Sequence, residues 1–222
     1  MSIAAEQPKA LRKRRSKRAA AVGSPTSRIV QPMPAPGETA LVGLGDWATY
    51  KALDQALTKS GHRVRYFNGV FEIMTISFRH ESLSGNIGRL VEAFCQFIGM
   101  DYQIWGSTTQ KEEGSAAGEP DESYTFGLEP KDKPELVIEV GLSSGGIDKL
   151  EFWSALGAKE VWIWQNDRLH GFARSADDAF HPMTVSVLLP GLSLALVQEF
   201  AVIQPSSRAV REFRARLQTT TP

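Results

Sequence analysis

From residue 46 onward the hydrophobic positions change period several times, and each change marks an element. Trp47, Tyr50, Leu53 and Leu57 recur at helical spacing behind Asp46, a good N-cap, with Gly61 just beyond. This predicts a first helix. Two runs rich in β-branched and aromatic residues, 64–67 and 70–74, then flank Asn68-Gly69, the strongest short hairpin signal. Glu72 lies on the second arm and receives no chemical role. A long helix follows over about residues 78–98. Leu83, Ile87, Leu90, Val91, Phe94 and Ile98 form its core stripe, with Cys95 on the same apolar side. Another face carries Glu81, Ser84, Gly85, Gly88 and Glu92, whose small members admit another backbone closely.

Beyond residue 100 the pattern is mostly strand-like. Residues 101–109 predict a strand. Residues 111–118 are polar and small, and suit a mobile loop at the rim of a site. A strand opens at Glu119-Pro120-Asp121-Glu122, with a turn over 127–133, and a second runs through 134–140. A Gly/Ser loop at 141–146 leads into a helix from Ile147, then an apolar strand at 161–164 and a turn at Asn166-Asp167. Residues 169–173 and 184–189 read as further strands, and 209–217 as a short charged helix. His170 and His181 read as surface residues. The class is α+β, with a mixed sheet around one core.

Composition bounds the rest. The 222 residues suffice for one substantial domain. One cysteine allows no disulfide framework, in keeping with a reducing cytoplasm. No Cys/His spacing points to zinc, and no apolar run is long enough to span a membrane. The net charge of zero hides an asymmetry: residues 1–28 hold eight Lys/Arg and one acid, whereas the remainder holds 17 Lys/Arg and 24 acids. Residues 1–37, basic and then Pro-rich, read as a disordered leader, either solvated or touching nucleic acid. The expected organisation is this leader, a domain over 38–205, and a C-terminal helix and tail over 206–222.

The chemistry concentrates in residues 119–164. In the strand 136–140, Leu136, Ile138 and Val140 face one way, and Val137 and Glu139 the other. A strand apolar on both faces is usually buried on both, so Glu139 must be paired, protonated or bound to a metal. In an antiparallel hairpin Asp121 can face Glu139, with Cβ atoms about 4.5–5.5 Å apart, but a one-residue slip would separate them. Two such carboxylates repel unless a cation lies between them, and neutralising one would then relieve the metal-free protein. Mg²⁺ takes one or two carboxylates and leaves its other positions to water and phosphate. Lys149 can reach back toward Glu139 from the next helix. The plainer alternatives are a structural ion pair for Glu139, a turn for Pro120-Asp121, and a surface pairing with Asp148 or Glu151 for Lys149. At the head of the long helix, Glu81 suits the dipole or a further metal contact, and His80 a local hydrogen bond or a proton shuttle.

Pro120-Asp121, the run 134–140 ending in Glu139-Val140, Ser143-Ser144, Asp148-Lys149 and Glu160-Val161-Trp162-Ile163-Trp164 together resemble the Uma-type endonuclease family. That family belongs to the PD-(D/E)XK nuclease superfamily, with a restriction-endonuclease-like fold. The resemblance extends over about residues 47–200 and includes His80 and the segment 188–192. It implies an αβββαβ core, here preceded by a helix and hairpin and followed by extra C-terminal strands. It also implies Asp121 and Glu139 as metal ligands and Lys149 as the catalytic lysine. The superfamily's lysine normally stands two residues after the second acid. Gly141 occupies that position here.

What the resemblance implies is a Mg²⁺-dependent endonuclease, with Mn²⁺ as the other candidate ion, cleaving phosphodiesters in DNA, and the cysteine usage adds a cytoplasmic location as an expectation. A homodimer is a further expectation, and a membrane partner is not. Gly141 keeps open the alternative of a nuclease-fold protein that binds nucleic acid or a protein partner without cutting.

Overall fold

The computed structural model describes residues 40–57, 59–141 and 147–220. The expected leader at 1–37 and most of the 141–146 loop lie outside them. Among the described residues there are five helices, and eleven strands form two sheets. The α+β class holds, but the strands divide between two sheets where the sequence predicts a single mixed one.

The smaller sheet is built on the expected hairpin. β2 (His62–Phe67) and β3 (Val70–Thr75) pair antiparallel, with Phe67 opposite Val70 across Asn68-Gly69. Both turn residues have positive φ, 46° and 90°, as a two-residue turn of this hand requires. β1 (Ala40–Leu44), not anticipated, covers the outer side of β3. α1 (Trp47–Leu57) follows behind Asp46, whose Oδ1 accepts from the Thr49 N–H at 2.8 Å. The segment 111–118 is a correction. In place of a loop it forms most of β5 (Gln110–Glu112) and β6 (Ala116–Gly118), and β6 pairs with β2. Its small residues serve close packing: Ala116 and Ala117 are fully buried, and a Cβ on Gly118 would stand 2.9 Å from the Phe152 ring.

The larger sheet has the order β11-β10-β9-β8-β7-β4. It comprises β4 (Tyr102–Ile104), β7 (Glu122–Phe126), β8 (Leu136–Val140), β9 (Glu160–Gln165), β10 (Arg168–Arg174) and β11 (Phe180–Met183). Only β8 and β9 are parallel, joined through α3 (Lys149–Ala155), since a parallel pair needs a crossover. α2 (Phe78–Ile98) lies across the other face. Ser77 caps it, accepting from the His80 N–H, and Gly99 ends it at φ 69°.

The five residues of β8 are all buried, as their apolar pattern requires. Leu136, Ile138 and Val140 join Ile87, Leu90 and Phe94 of α2, with Trp162 and Trp164 of β9. Val137 and Val161 face the opposite way, against Phe152 and Trp153 of α3. Two helices complete the α2 side: α4 (Leu194–Ala201), not foreseen, and α5 (Ser206–Thr220), which buries Phe213 and Leu217.

Residues 184–189, expected as a strand, do not form one. The N–H groups of Val187 and Leu188 donate instead to the Glu160 carboxylate at 3.1 and 3.0 Å. Glu160 is fully buried and also accepts from Trp162 Nε1 at 2.6 Å. A buried anion must take donors where it finds them. Here it takes the backbone donors that a sheet ladder would have used.

Candidate active site

The register of β7 and β8 brings the two acids together. Glu122 stands opposite Ile138 and Ser123 opposite Val137. One step further in this register Asp121, just before β7, falls opposite Glu139 near the end of β8. The Asp121 N–H donates to the Ile138 carbonyl at 3.2 Å, which continues the pairing.

Two arginines from β2 bind these carboxylates. Arg63 and Arg65 are two residues apart and so share a face of the strand. Arg63 NH1 lies 2.6 Å from Asp121 Oδ1. Arg65 NH2 lies 2.8 and 2.9 Å from the two oxygens of Glu139. The smaller sheet thus sets one basic strand over the acids of the larger one.

Each acid has further donors. Asp121 Oδ2 accepts from the Val140 N–H at 2.7 Å and lies 3.1 Å from His80 Nε2. Burial opposes ionisation of Asp121, but His80, the Val140 N–H and Arg63 outweigh it and hold its pKa below the ordinary carboxylate value. Glu139 accepts from Lys149 Nζ at 2.6 Å on Oε2 and from Trp153 Nε1 at 3.1 Å on Oε1. Lys149 is the first residue of α3 and Trp153 lies one turn on, so one helix delivers both donors. Asp148 is the cap of that helix, its Oδ1 accepting from the N–H groups of Leu150 and Glu151, and is not the partner of Lys149.

Arg65 is 2 % exposed, an unusual place for a guanidinium. It lies 3.7 Å from Glu72 and over the rings of Phe152 and Trp153, 5.1 and 5.8 Å from their centroids. Burial disfavours its charge, but Glu139, Glu72 and Asp121 outweigh that and raise its pKa. Glu72 also accepts from the Ile147 N–H at 2.8 Å, directly before α3. Arg65 and Glu72 therefore tie the hairpin to both Glu139 and the helix that bears Lys149.

The residues expected at the site fall into two neighbouring sets, one on each acid. His80 meets Asp121 and Lys149 meets Glu139 directly, both acids act on the charge of Arg65, and Glu81 adjoins Asp121 through Arg63 at 3.3 Å. Sequence reasoning missed Arg63, Arg65, Glu72 and Trp153. A signal for two of them was present: a two-residue Asn68-Gly69 turn sets Arg65 opposite Glu72. Among the described residues, no group of three or more His, Cys, Asp or Glu side chains could hold a metal ion.

On the opposite side of β7, Glu122 faces α2 at Gly88, where an added Cβ would stand 3.3 Å from the Glu122 carboxyl carbon. Burial and the charge of Glu92 push the Glu122 carboxyl up to about 7. The folded protein therefore keeps a proton that the unfolded chain releases from about pH 4.5 upward, and stability falls as pH rises through that window. Glu122→Gln is expected to flatten this dependence and to add about 1 kcal/mol at pH 8, a figure discounted for partial exposure. Urea unfolding at pH 5 and pH 8 measures it. An unchanged difference between the two pH values would assign the dependence to other groups.

The family model described as "Putative restriction endonuclease", Uma2, matches residues 47–204. No match was found among curated proteins. Among the described residues, no helix is long and apolar enough to cross a membrane. The match runs from the start of α1 to just past α4 and takes in both acids, both arginines and Lys149: the chain belongs to the Uma2 family.

Proposed function

We propose that this protein is a metal-dependent endonuclease that hydrolyses phosphodiesters in DNA, with Asp121, Glu139 and Lys149 as its catalytic group. The observation that carries the reading is the register that sets Asp121, one step beyond the Glu122–Ile138 pair, opposite Glu139, with Lys149 drawn to Glu139 from α3. On this reading α2, β4, β7, β8, α3 and β9 form the αβββαβ core. Gly141 leaves the customary lysine position vacant, and Lys149 supplies the charge from the next helix.

The donor set suits a hard cation. Two buried carboxylates on one face offer oxygen ligands, and Mg²⁺ or Mn²⁺ needs no more than one or two of them from the protein. Asp121 and Glu139 would hold the ion, which would supply charge neutralisation at the scissile phosphate and a nucleophile at neutral pH. Lys149 stabilises the charge that develops on the phosphate oxygens. Arg65, too buried to meet substrate, orients Glu139. His80 sits on Asp121 where it can hold or pass a proton.

A second reading has its own observation. Both carboxylates are already engaged by cationic side chains. A site closed in this way suits a protein that binds nucleic acid or a protein partner without cutting. Relaxation of supercoiled plasmid in Mg²⁺ or Mn²⁺, blocked by EDTA, supports the nuclease. DNA retention in EDTA without relaxation in either metal supports the second reading.

A further inference from the structure

We propose that Arg63 occupies the cation's place at Asp121 in the metal-free protein and passes to the substrate phosphate when metal binds. This rests on the nuclease reading and assigns a role to a residue outside the expected catalytic group.

The two arginines of β2 differ in their freedom. Arg65 touches both oxygens of Glu139 and lies against two aromatic rings. A Cβ on Gly118 would stand 3.1 Å from its Cγ, so the wall beside it is tight. Arg63 sits at the rim, its side chain 16 % exposed. It is shared among three carboxylates: Asp121 at 2.6 Å, Glu81 at 3.3 Å and Glu119 at 3.9 Å. Leaving Asp121 would not strip Arg63 of ionic partners, because Glu81 and Glu119 remain beside it. A guanidinium is a fork of five donors that matches phosphate oxygens as well as carboxylate.

The oxygens of Asp121 divide the work. Oδ2 is held by the Val140 N–H and His80, which fix the carboxylate whether or not metal is present. Oδ1 is the oxygen that Arg63 engages. Withdrawal of Arg63 therefore opens a ligand position without releasing the side chain. Metal must displace Arg63 to bind there, so its affinity is lowered by the strength of that contact. With Asp121 taken by the cation, an incoming phosphate competes with Glu81 and Glu119 for Arg63.

Mn²⁺ titration calorimetry without DNA tests the first half of the proposal and plasmid nicking the second. Arg63→Gln is expected to tighten Mn²⁺ binding about tenfold, because the charged hydrogen bond that competes with metal is gone. The same variant is expected to nick DNA about 100-fold more slowly at saturating Mn²⁺, having lost a phosphate contact. Arg63→Lys keeps the competing charge and should bind Mn²⁺ within about threefold of wild type. Arg208→Gln, at an exposed i,i+4 pair on α5, controls for net charge and should change neither reading. Circular dichroism confirms that each variant is folded. Unchanged or weaker Mn²⁺ binding by Arg63→Gln, equal tightening in Arg208→Gln, or undiminished nicking would overturn the role of Arg63 alone. Absence of Mn²⁺ binding in wild type and Arg63→Gln alike would overturn the nuclease reading with it.

Discussion

Glu139→Gln should abolish metal-dependent cleavage and also destabilise the protein. The catalytic half follows from the proposed ligand set: an amide oxygen carries no charge to hold a divalent cation. The stability half follows from Arg65. That guanidinium is 2 % exposed and both its strongest contacts are to Glu139. Removing one partner of a buried pair leaves the other charge uncompensated, at a cost of about 3–5 kcal/mol. Glu72, 3.7 Å from Arg65, still offers a carboxylate, which places the expected loss at about 3 kcal/mol. Taken alone, the facing acids predict the reverse, with neutralisation relieving repulsion and stabilising the metal-free protein. The arginines change the sign, because each acid already has its own cation. Chemical denaturation of the metal-free variant decides between the two signs. A variant as stable as wild type would mean that Arg65 is compensated elsewhere.

Lys149→Met should separate activity from stability. Lys149 lies 2.6 Å from Glu139 Oε2 but is 18 % exposed, at the first position of α3. Its loss leaves Glu139 paired with Arg65 and bonded to Trp153, so the fold should lose less than about 1 kcal/mol. Turnover should fall by about 10²–10³, the effect of removing one preorganised donor from the transition state. Mn²⁺ affinity should be kept or increased, since a nearby positive charge has gone. Nicking at the wild-type rate by a folded Lys149→Met would return this lysine to the status of a structural partner, and Gly141 would need another explanation.

The legible parts of this molecule are those set by local pattern. The hairpin at Asn68-Gly69, the stripe of α2 and the two-faced burial of β8 follow from periodicity and turn chemistry, and the structure has them at the expected places. Residues 111–118 read as a loop but form strands for a physical reason. Ala116, Ala117 and Gly118 are small because β6 packs beneath Phe152 and Arg65, whereas smallness in a polar context signals a loop. Residues 184–189 read as a strand because their composition carries no trace of Glu160, which draws the N–H groups of Val187 and Leu188 away. The same limit applies to the site. Asp121, Glu139 and Lys149 lie within one short stretch of sequence. Arg65 is 74 residues from Glu139, and the two meet between sheets, Arg65 on β2 of the smaller and Glu139 on β8 of the larger. Single residues in a strand announce burial or charge, but not which distant strand will face them.

The central claim is that this constellation cuts DNA, and the most direct measurement is nicking of supercoiled plasmid by wild type and Asp121→Asn purified side by side. Asp121→Asn keeps one oxygen to accept from the Val140 N–H, while its NH₂ replaces the oxygen that accepts from Arg63, so the charge facing Arg63 and the proposed metal is lost together with that hydrogen bond. The account predicts nicking by wild type in Mn²⁺ and Mg²⁺, none in EDTA, and none by the folded variant in either metal. Equal nicking by Asp121→Asn, or no nicking by wild type in either metal, would contradict it.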